Sequence, residues 1–294
     1  MTTAYLYAGQ GAQKAGMGKD LYENFEAFRK AFDSADLSFD LHRVCFEDPD
    51  GVLIQTQYTQ PCLAAVETGI TAVLREAGLR PDYAAGLSLG EYSALEAAEV
   101  LTAEETIRMT AFRGEAMAGA SAGIDCGMTA VLGLSEASLE NCCREAEGEG
   151  VVSICNYNCP GQLVISGDKE GILEACDKLK AAGAKRALPL KVGGAFHSPL
   201  MQSAKEELQA AIEKTQFAKP VCPVYQNVDA MPHTDPEEIK QNLIAQLTSS
   251  VRWTKSVQNM IADGADEFVE CGPGKALRGM IGRIDKNVKA TGLE

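Results

Sequence analysis

Short apolar runs alternate along this chain with stretches in which apolar residues recur every three or four positions. Runs at residues 3–7 and 82–85 predict buried strands, and the longer spacing predicts helices. One such helix covers Leu63, Val66, Ile70 and Val73, with Pro61 expected in its first turn. Another, at residues 102–117, opens on a Thr-x-x-Glu capping box. Strands alternating with helices in this way indicate an α/β protein.

The middle of the chain follows a different order of elements. The pattern predicts a strand, a helix, two strands joined by a Pro-Gly turn, a second helix and a last strand. The predicted strands are 128–134, 151–156, 162–166 and 186–192, and the helices are 136–147 and 169–182. This β-α-β-β-α-β order is ferredoxin-like. We therefore expect a discontinuous larger α/β domain at 1–124 and 196–294, with a smaller domain inserted at 125–195.

Composition excludes several classes of protein. The chain has 294 residues, of which 46% are hydrophobic and 23% charged, as in ordinary globular domains. A net charge of −14 argues against nucleic-acid binding. The N-terminus lacks the pattern of a signal peptide and no apolar run is long enough to cross a membrane, so we expect a cytoplasmic protein. Ten scattered cysteines indicate reduced thiols, and their spacing does not favour a structural metal.

The segment Gly86-Leu87-Ser88-Leu89-Gly90 carries the clearest chemical signal. It fits G-x-S-x-G, in which small residues allow a sharp strand-to-helix turn that exposes the serine hydroxyl. The required context is present, because a predicted strand precedes the motif and a predicted helix follows it. The alternative is a chance glycine-rich turn with a solvent-facing serine.

A serine nucleophile needs a base, and His42, His197 and His233 are the three histidines of the chain. His42 falls in a charged helical stretch and His233 in a polar loop. His197 follows a predicted strand, precedes a helix and lies downstream of Ser88, which is the order of hydrolase-like sheets. We therefore pair His197 with Ser88, although a lone histidine in a loop is often only a surface or packing residue.

Eight motifs in order resemble the malonyl-CoA:acyl carrier protein transacylases, the acyltransferase family of fatty acid and polyketide synthesis. They span nearly the whole chain: 9–13, 58–61, 86–93, 113–114, 158–162, 194–201, 246–253 and 272–274. The resemblance implies a hydrolase-like α/β domain with a parallel sheet and a ferredoxin-like insertion. It implies malonyl transfer from coenzyme A to carrier protein through a serine ester, with no cofactor and no metal.

The same resemblance assigns the reacting groups. It implies that Ser88 is the nucleophile, that His197 is the general base and that the main-chain carbonyl of Gln246 orients this histidine. The backbone amides of Gln10 and Leu89 correspond to the oxyanion hole. Asn227 is expected to support the loop that carries Gln246.

Arg113 matches the family's arginine that binds the free malonyl carboxylate, a task for which a planar guanidinium is suited. Phe196 stands where bulk disfavours a branched acyl group. Asn158 and Gln162 match further substrate-binding positions. Leu87 departs from the histidine that is common in the family, so altered acyl selectivity or hydrolysis is expected.

The implied partners are malonyl-CoA and an acidic carrier protein. Because the chain is itself acidic, carrier binding requires a local basic patch. The candidates are Lys275, Arg278, Arg283, Lys286, Lys185, Arg186 and Lys191. We expect a monomer. An acyl-editing hydrolase of the same fold, a trans-acting polyketide acyltransferase, an inactive docking module and a lipase remain as alternatives.

Overall fold

The computed structural model describes residues 1–146, 148 and 150–294. Its larger sheet has six strands in the order β10-β9-β1-β2-β7-β8. The first five run parallel, and β8 pairs antiparallel with β7 at one edge. The bounds are β1 Thr3–Tyr7, β2 Tyr83–Gly86, β7 Val224–Tyr225, β8 Pro232–His233, β9 Glu267–Cys271 and β10 Lys289–Leu293.

Helices pack on both faces of this sheet, as expected where parallel strands are joined by crossover connections. Those outside the middle of the chain are α1 Lys19–Asn24, α2 Glu26–Phe32, α3 Thr56–Glu76, α4 Gly90–Ala97, α5 Ala103–Ser121, α8 Gln202–Lys214, α9 Pro236–Gln246, α10 Trp253–Ala262 and α11 Ala276–Ile284. One apolar core contains Phe28, Leu63 and Leu95, and a second contains Trp253 and Phe268. The parallel sheet lies between these two cores.

The second sheet confirms the ferredoxin-like prediction. Its strands are antiparallel in the order β4-β5-β3-β6, and two helices pack against them. The bounds are β3 Cys126–Leu132, α6 Glu136–Ala146, β4 Val152–Cys159, β5 Gln162–Asp168, α7 Lys169–Ala181 and β6 Arg186–Pro189. The last residue of the predicted helix 136–147 lies outside the described residues.

Hydrogen bonds join β4 to the segment between α9 and α10. Asn156 forms a parallel bridge with Val251, and the Tyr157 amide donates to the Val251 carbonyl at 2.9 Å. The Ser250 hydroxyl donates to the Ile154 carbonyl at 2.6 Å. These bonds fix β4 against the segment that leads from α9 to α10, and residues of β4 line one cavity together with residues that follow β1 and β2.

The structure corrects three predictions of element bounds. Helix α3 begins at Thr56, so Pro61 is its sixth residue and removes one main-chain donor from the helix. The polar residues before Pro61 gave no apolar period that could mark this start. Strand β6 ends at Pro189 instead of residue 192, and among the described residues only one further bond to β3 follows the proline, from the Leu190 amide to the Met128 carbonyl at 2.9 Å. Strand β10 was not predicted, since its sequence contains few strand-forming residues.

Three neighbouring parallel strands end at the same edge of the larger sheet. Strand β1 runs into the loop at Gly9, β2 runs into Ser88, and β7 runs into Asn227. Crevices at the carboxyl ends of parallel strands are the usual ligand sites of such sheets. None of the described helices combines the length and the apolar character that crossing a membrane requires.

Candidate active site

Ser88 lies on a sharp turn between β2 and α4, in the left-handed region with φ of 57°. A Cβ at Gly86 would overlap the carbonyl group of Gly90, and a Cβ at Gly90 would overlap the Tyr7 carbonyl. Only glycines therefore permit this close approach of strand, turn and helix. The left-handed conformation costs a serine about 1 kcal/mol, which the surrounding contacts must offset.

The Ser88 hydroxyl meets His197, as the sequence predicted. Ser88 Oγ lies 2.6 Å from His197 Nε2, and His197 Nδ1 lies 2.9 Å from the Gln246 carbonyl oxygen. Because a carbonyl can only accept, Nδ1 carries the proton and Nε2 is left to accept the serine proton. Gln246 is the last residue of α9, where main-chain carbonyls lack partners within the helix.

Burial changes the protonation behaviour of this histidine. The side chain is 4% exposed, and burial followed by the charge of Arg113 lowers the pKa of His197 to about 4. The hydrogen bond to the Gln246 carbonyl opposes this shift but does not outweigh it. The imidazole is therefore neutral near pH 7 and able to accept a proton.

Arg113 on α5 also contacts the Ser88 hydroxyl. Its Nη2 donates to Ser88 Oγ at 3.1 Å and to Gln246 Oε1 at 3.0 Å, and its Nη1 donates to Gln60 Oε1 at 2.7 Å. The guanidinium also lies 5.5 Å from the centre of the Tyr92 ring. The residue is 1% exposed, and within the described part of the chain its hydrogen bonds go to neutral oxygen atoms.

A set of buried polar residues supports the turn, and the sequence alone did not assign most of them. Asn227 Oδ1 accepts the Ser88 amide at 2.6 Å, and Glu91 accepts the Asn227 amide at 2.7 Å. The Gln246 amide nitrogen donates to the Ser88 carbonyl at 3.0 Å. Gln60 and Glu91 could have been found from the sequence, since each is a polar residue inside an otherwise apolar helix.

A cavity of about 270 Å³ opens above Ser88 and His197. Phe196, Leu87 and Asn158 line it, together with the Gly9–Ala12 loop and Met280 of α11. Asn158 Oδ1 is buried and has no hydrogen-bond partner among the described residues. The cavity is therefore lined mostly by apolar residues, with Asn158 among its polar ones.

Two predicted substrate-binding residues lie outside this cavity lining. Gln162 accepts a hydrogen bond from Arg283 at 3.2 Å and is not part of the cavity wall. Arg113 touches the cavity only through Ser88 Oγ. Gln10 does line the cavity, and its side chain donates to Thr56 at 3.2 Å.

The two amides expected to form an oxyanion hole come from different parts of the chain: Leu89 follows Ser88 directly, and Gln10 lies in the loop after β1, which lines the same cavity as Ser88. Leu89 is the residue before α4, where amides lack intrahelical partners, and Gln10 is in the loop beside Leu87. Neither amide donates a hydrogen bond to another of the residues described. A Cβ at Gly9 would lie 2.6 Å from the Leu87 carbonyl oxygen, so this loop could not approach as closely without glycine.

The basic residues proposed for carrier binding are not equivalent. Arg278 is half-buried, and its Nε lies 3.3 Å from a carboxylate oxygen of Glu270. The other six are exposed: Lys275, Arg283, Lys286, Lys185, Arg186 and Lys191. Lys275 and Lys191 are each next in the chain to residues of the cavity lining.

A serine on a strand-to-helix turn, bonded to a neutral histidine at the edge of a parallel sheet, is the arrangement of enzymes that carry acyl groups on serine. The comparison with known proteins specifies the class further. Residues 4–284 match the acyl transferase domain family. The chain is 41% identical to the malonyl CoA-acyl carrier protein transacylase of Staphylococcus aureus strain MRSA252, over 99% of this chain and 95% of that protein.

Solved structures of similar proteins have the same fold as this chain. The acyl carrier protein S-malonyltransferase of Vibrio cholerae superposes with a TM-score of 0.96 at 39% identity, covering 100% of this chain and 97% of that one. A malonyl-transacylase in complex with its type II polyketide synthase acyl carrier protein superposes with a TM-score of 0.96 at 38% identity, covering 100% and 96%. The chain belongs to the acyl transferase domain family.

Proposed function

We propose that this chain transfers malonyl groups from coenzyme A to the phosphopantetheine thiol of an acyl carrier protein, through an ester on Ser88. The support is the Ser88–His197 pair at 2.6 Å, a buried arginine beside it, and relatives named for this reaction. A role in supplying fatty acid synthesis belongs to the proposal.

The reaction has two half-reactions, acylation of Ser88 and transfer from Ser88 to the carrier, and both use Ser88 and His197. His197 Nε2 takes the proton of Ser88 as Oγ bonds to the thioester carbonyl carbon, and the C–S bond then breaks. The departing thiolate of coenzyme A takes that proton from His197. The thiol of the carrier protein reverses these steps, giving up its proton to His197 and releasing Ser88. Every atom is supplied by the two thiols, the acyl group and the protein, so the proposed reaction requires no cofactor.

The amides of Leu89 and Gln10 are proposed to hold the negative oxygen of the tetrahedral intermediates. Amides without partners within the described chain, next to a helix start, favour an anion at that position. The carbonyl of Gln246 orients the base without adding a negative charge, unlike a carboxylate.

The observation that carries the proposal is the buried charge of Arg113. The cation is 1% exposed, and within the described chain its hydrogen bonds go to neutral oxygens; the buried Glu91 carboxylate acts on it electrostatically without a hydrogen bond to it. A malonyl group on Ser88 brings a free carboxylate to within a few bonds of Oγ, and so supplies an anion that the guanidinium can bind directly. An acetyl group would not. Because Arg113 Nη2 donates to Ser88 Oγ, binding requires this hydrogen bond to open.

The cavity residues take the rest of the substrate in this proposal. Phe196 limits the width beside the acyl group, and Leu87 provides an apolar wall. Asn158 lies in the cavity wall and is the proposed polar contact of the pantetheine arm. The position of Gln162 outside the lining favours a role in holding Arg283 over direct contact with substrate.

Carrier protein is proposed to dock at the cavity mouth against exposed basic residues, of which Lys275 and Lys191 adjoin the lining. We also propose that the protein acts as a monomer, and that 125–195 is a domain inserted between 1–124 and 196–294. The ten free cysteines of the chain fit a reducing compartment such as the cytoplasm.

Intact mass measurement after separate incubation with malonyl-, methylmalonyl- and acetyl-CoA tests the proposal. We expect one malonyl group on the wild-type protein and none on Ser88→Ala. Adding pantetheinylated carrier protein of fatty acid or polyketide type should discharge the ester to one of them. Loss of the ester to water at the same rate without carrier would instead indicate an editing hydrolase.

A further inference from the structure

Glu91 is a buried carboxylate that the proposed reaction does not use. It is the second residue of α4, directly after the turn that carries Ser88, and it is 0% exposed. Burial of a carboxylate is unfavourable unless hydrogen bonds satisfy it. Both of its oxygens are satisfied: Oε2 accepts the Asn227 amide at 2.7 Å, and Oε1 accepts Gln226 Nε2 at 3.0 Å.

The residue that Glu91 holds is the one that fixes the nucleophile. Asn227 Oδ1 accepts the Ser88 amide at 2.6 Å, and Asn227 Nδ2 donates to the Gly86 carbonyl at 2.7 Å. One side chain thus clamps the main chain on both sides of Leu87, at the turn where Ser88 is in the left-handed region. Asn227 follows a two-residue strand, so the ladder of the sheet fixes its position only weakly.

We propose that Glu91 is a positioning residue: by holding Gln226 and Asn227 from α4, it sets the main-chain position of Ser88 and hence the alignment of Oγ with His197 and Arg113. This inference rests on the proposed role of Ser88 as nucleophile. Glu91 itself touches neither the hydroxyl nor the cavity.

The arrangement needs the ionised carboxylate, because both oxygens accept hydrogen bonds from N–H donors. A glutamine at this position has one acceptor and would turn its own N–H group toward a donor. Gln226 cannot readily invert to compensate, since its Nε2 also donates to the Ile239 carbonyl at 3.1 Å and its Oε1 accepts Asn242 at 3.2 Å. Arg113 from α5 and Tyr92 from the same helix are the charged and titratable groups that act on Glu91.

Glu96 provides a matched control on the same helix. It is 4% exposed, and burial raises the pKa of both Glu91 and Glu96 to about 7. Its Oε1 pairs with Arg75 at 2.8 Å, away from the site. Glu96→Gln therefore removes an equally buried charge without touching the turn.

The test compares steady-state malonyl transfer by wild type, Glu91→Gln and Glu96→Gln, alongside thermal unfolding. A displacement of Ser88 by a fraction of an ångström should lower kcat for Glu91→Gln by about 100-fold with KM for malonyl-CoA within about twofold. Glu96→Gln should keep kcat within about twofold of wild type, even if its Tm falls as far as that of Glu91→Gln. Equal kcat losses in the two variants, or wild-type kcat in Glu91→Gln, would overturn the inference.

A double-variant cycle separates positioning through Asn227 from a general structural effect. Asn227→Ala should lower kcat by a similar factor, and adding Glu91→Gln to it should cause little further loss, because both act through one contact. Multiplied losses would show that Glu91 acts elsewhere. Glu96→Gln combined with Asn227→Ala should show no such coupling.

If Glu91→Gln does not fold, Glu91→Asp is used in the same test. Its shorter side chain keeps the carboxylate charge but moves it away from the Asn227 amide. Failure of both to fold while Glu96→Gln folds would show a role in stability and overturn the inference. Wild type that forms no Ser88 ester would instead defeat the proposed function, so the two failures are distinguishable.

Discussion

Replacing Arg113 by methionine should change which acyl group the protein accepts. Methionine has a similar length and no charge, so it removes the donors to Ser88, Gln60 and Gln246 while filling much of the same space. Malonyl and acetyl donors differ at the distal carboxylate, and Arg113 is the buried cation beside Ser88. The perturbation therefore isolates the recognition of charge.

The expected size follows from the contacts. A hydrogen bond to a charged group contributes about 1.5–3 kcal/mol, and a carboxylate can accept two from one guanidinium. Part of this is lost because Arg113 must first release Ser88 and Gln246 at 3.1 and 3.0 Å. A net contribution of about 3 kcal/mol corresponds to a loss of about 100-fold in kcat/KM for malonyl-CoA. The loss of donors to Gln60 and Gln246 affects both substrates alike.

The assay is kcat/KM for formation of the Ser88 ester with malonyl- and acetyl-CoA in competition. The ratio of the two should fall about 100-fold in Arg113→Met, and by less in Arg113→Lys, which keeps the charge but offers a single point of contact. Equal losses for both donors would refute the reasoning, because Arg113 would then support the fold or the serine without reading the carboxylate.

Three further outcomes are expected. Transfer should decline as the pH falls through about 7, where Glu91 takes up a proton, and in Glu91→Gln only the limb near pH 4 from His197 should remain, as measured by pH profiles of kcat. Gly86→Ala should destabilise the fold by about 3 kcal/mol or more in chemical denaturation, because its Cβ overlaps the start of α4, whereas Gly119→Ala on α5 should be neutral or stabilising. Phe196→Ala should raise the methylmalonyl-to-malonyl ratio of ester formation by about tenfold, since excluding a methyl group contributes about 1–3 kcal/mol; an unchanged ratio would contradict this.

The sequence alone determined most of the order of elements and the chemical type of the site. Local sequence patterns were sufficient to predict the structure of segments whose geometry depends on their own residues. The Thr102 capping box forms as predicted, and the glycines around Ser88 produce the expected turn. The ferredoxin-like order followed from the apolar periods and the Pro-Gly turn between the two central strands. Ser88, His197 and the Gln246 carbonyl are also brought together as expected.

Only the tertiary structure decided which buried polar groups satisfy one another. Glu91 and Asn227 are 136 positions apart in the chain, yet they meet because the parallel strands β2 and β7 end side by side. A sequence shows that a polar residue falls in an apolar helix but not which donor it faces. The same reason explains why Arg113 forms its hydrogen bonds to neutral oxygens in the described chain and why Gln162 lies outside the cavity. Hydrogen-bond partners distant in the chain are set by packing, which no local pattern records.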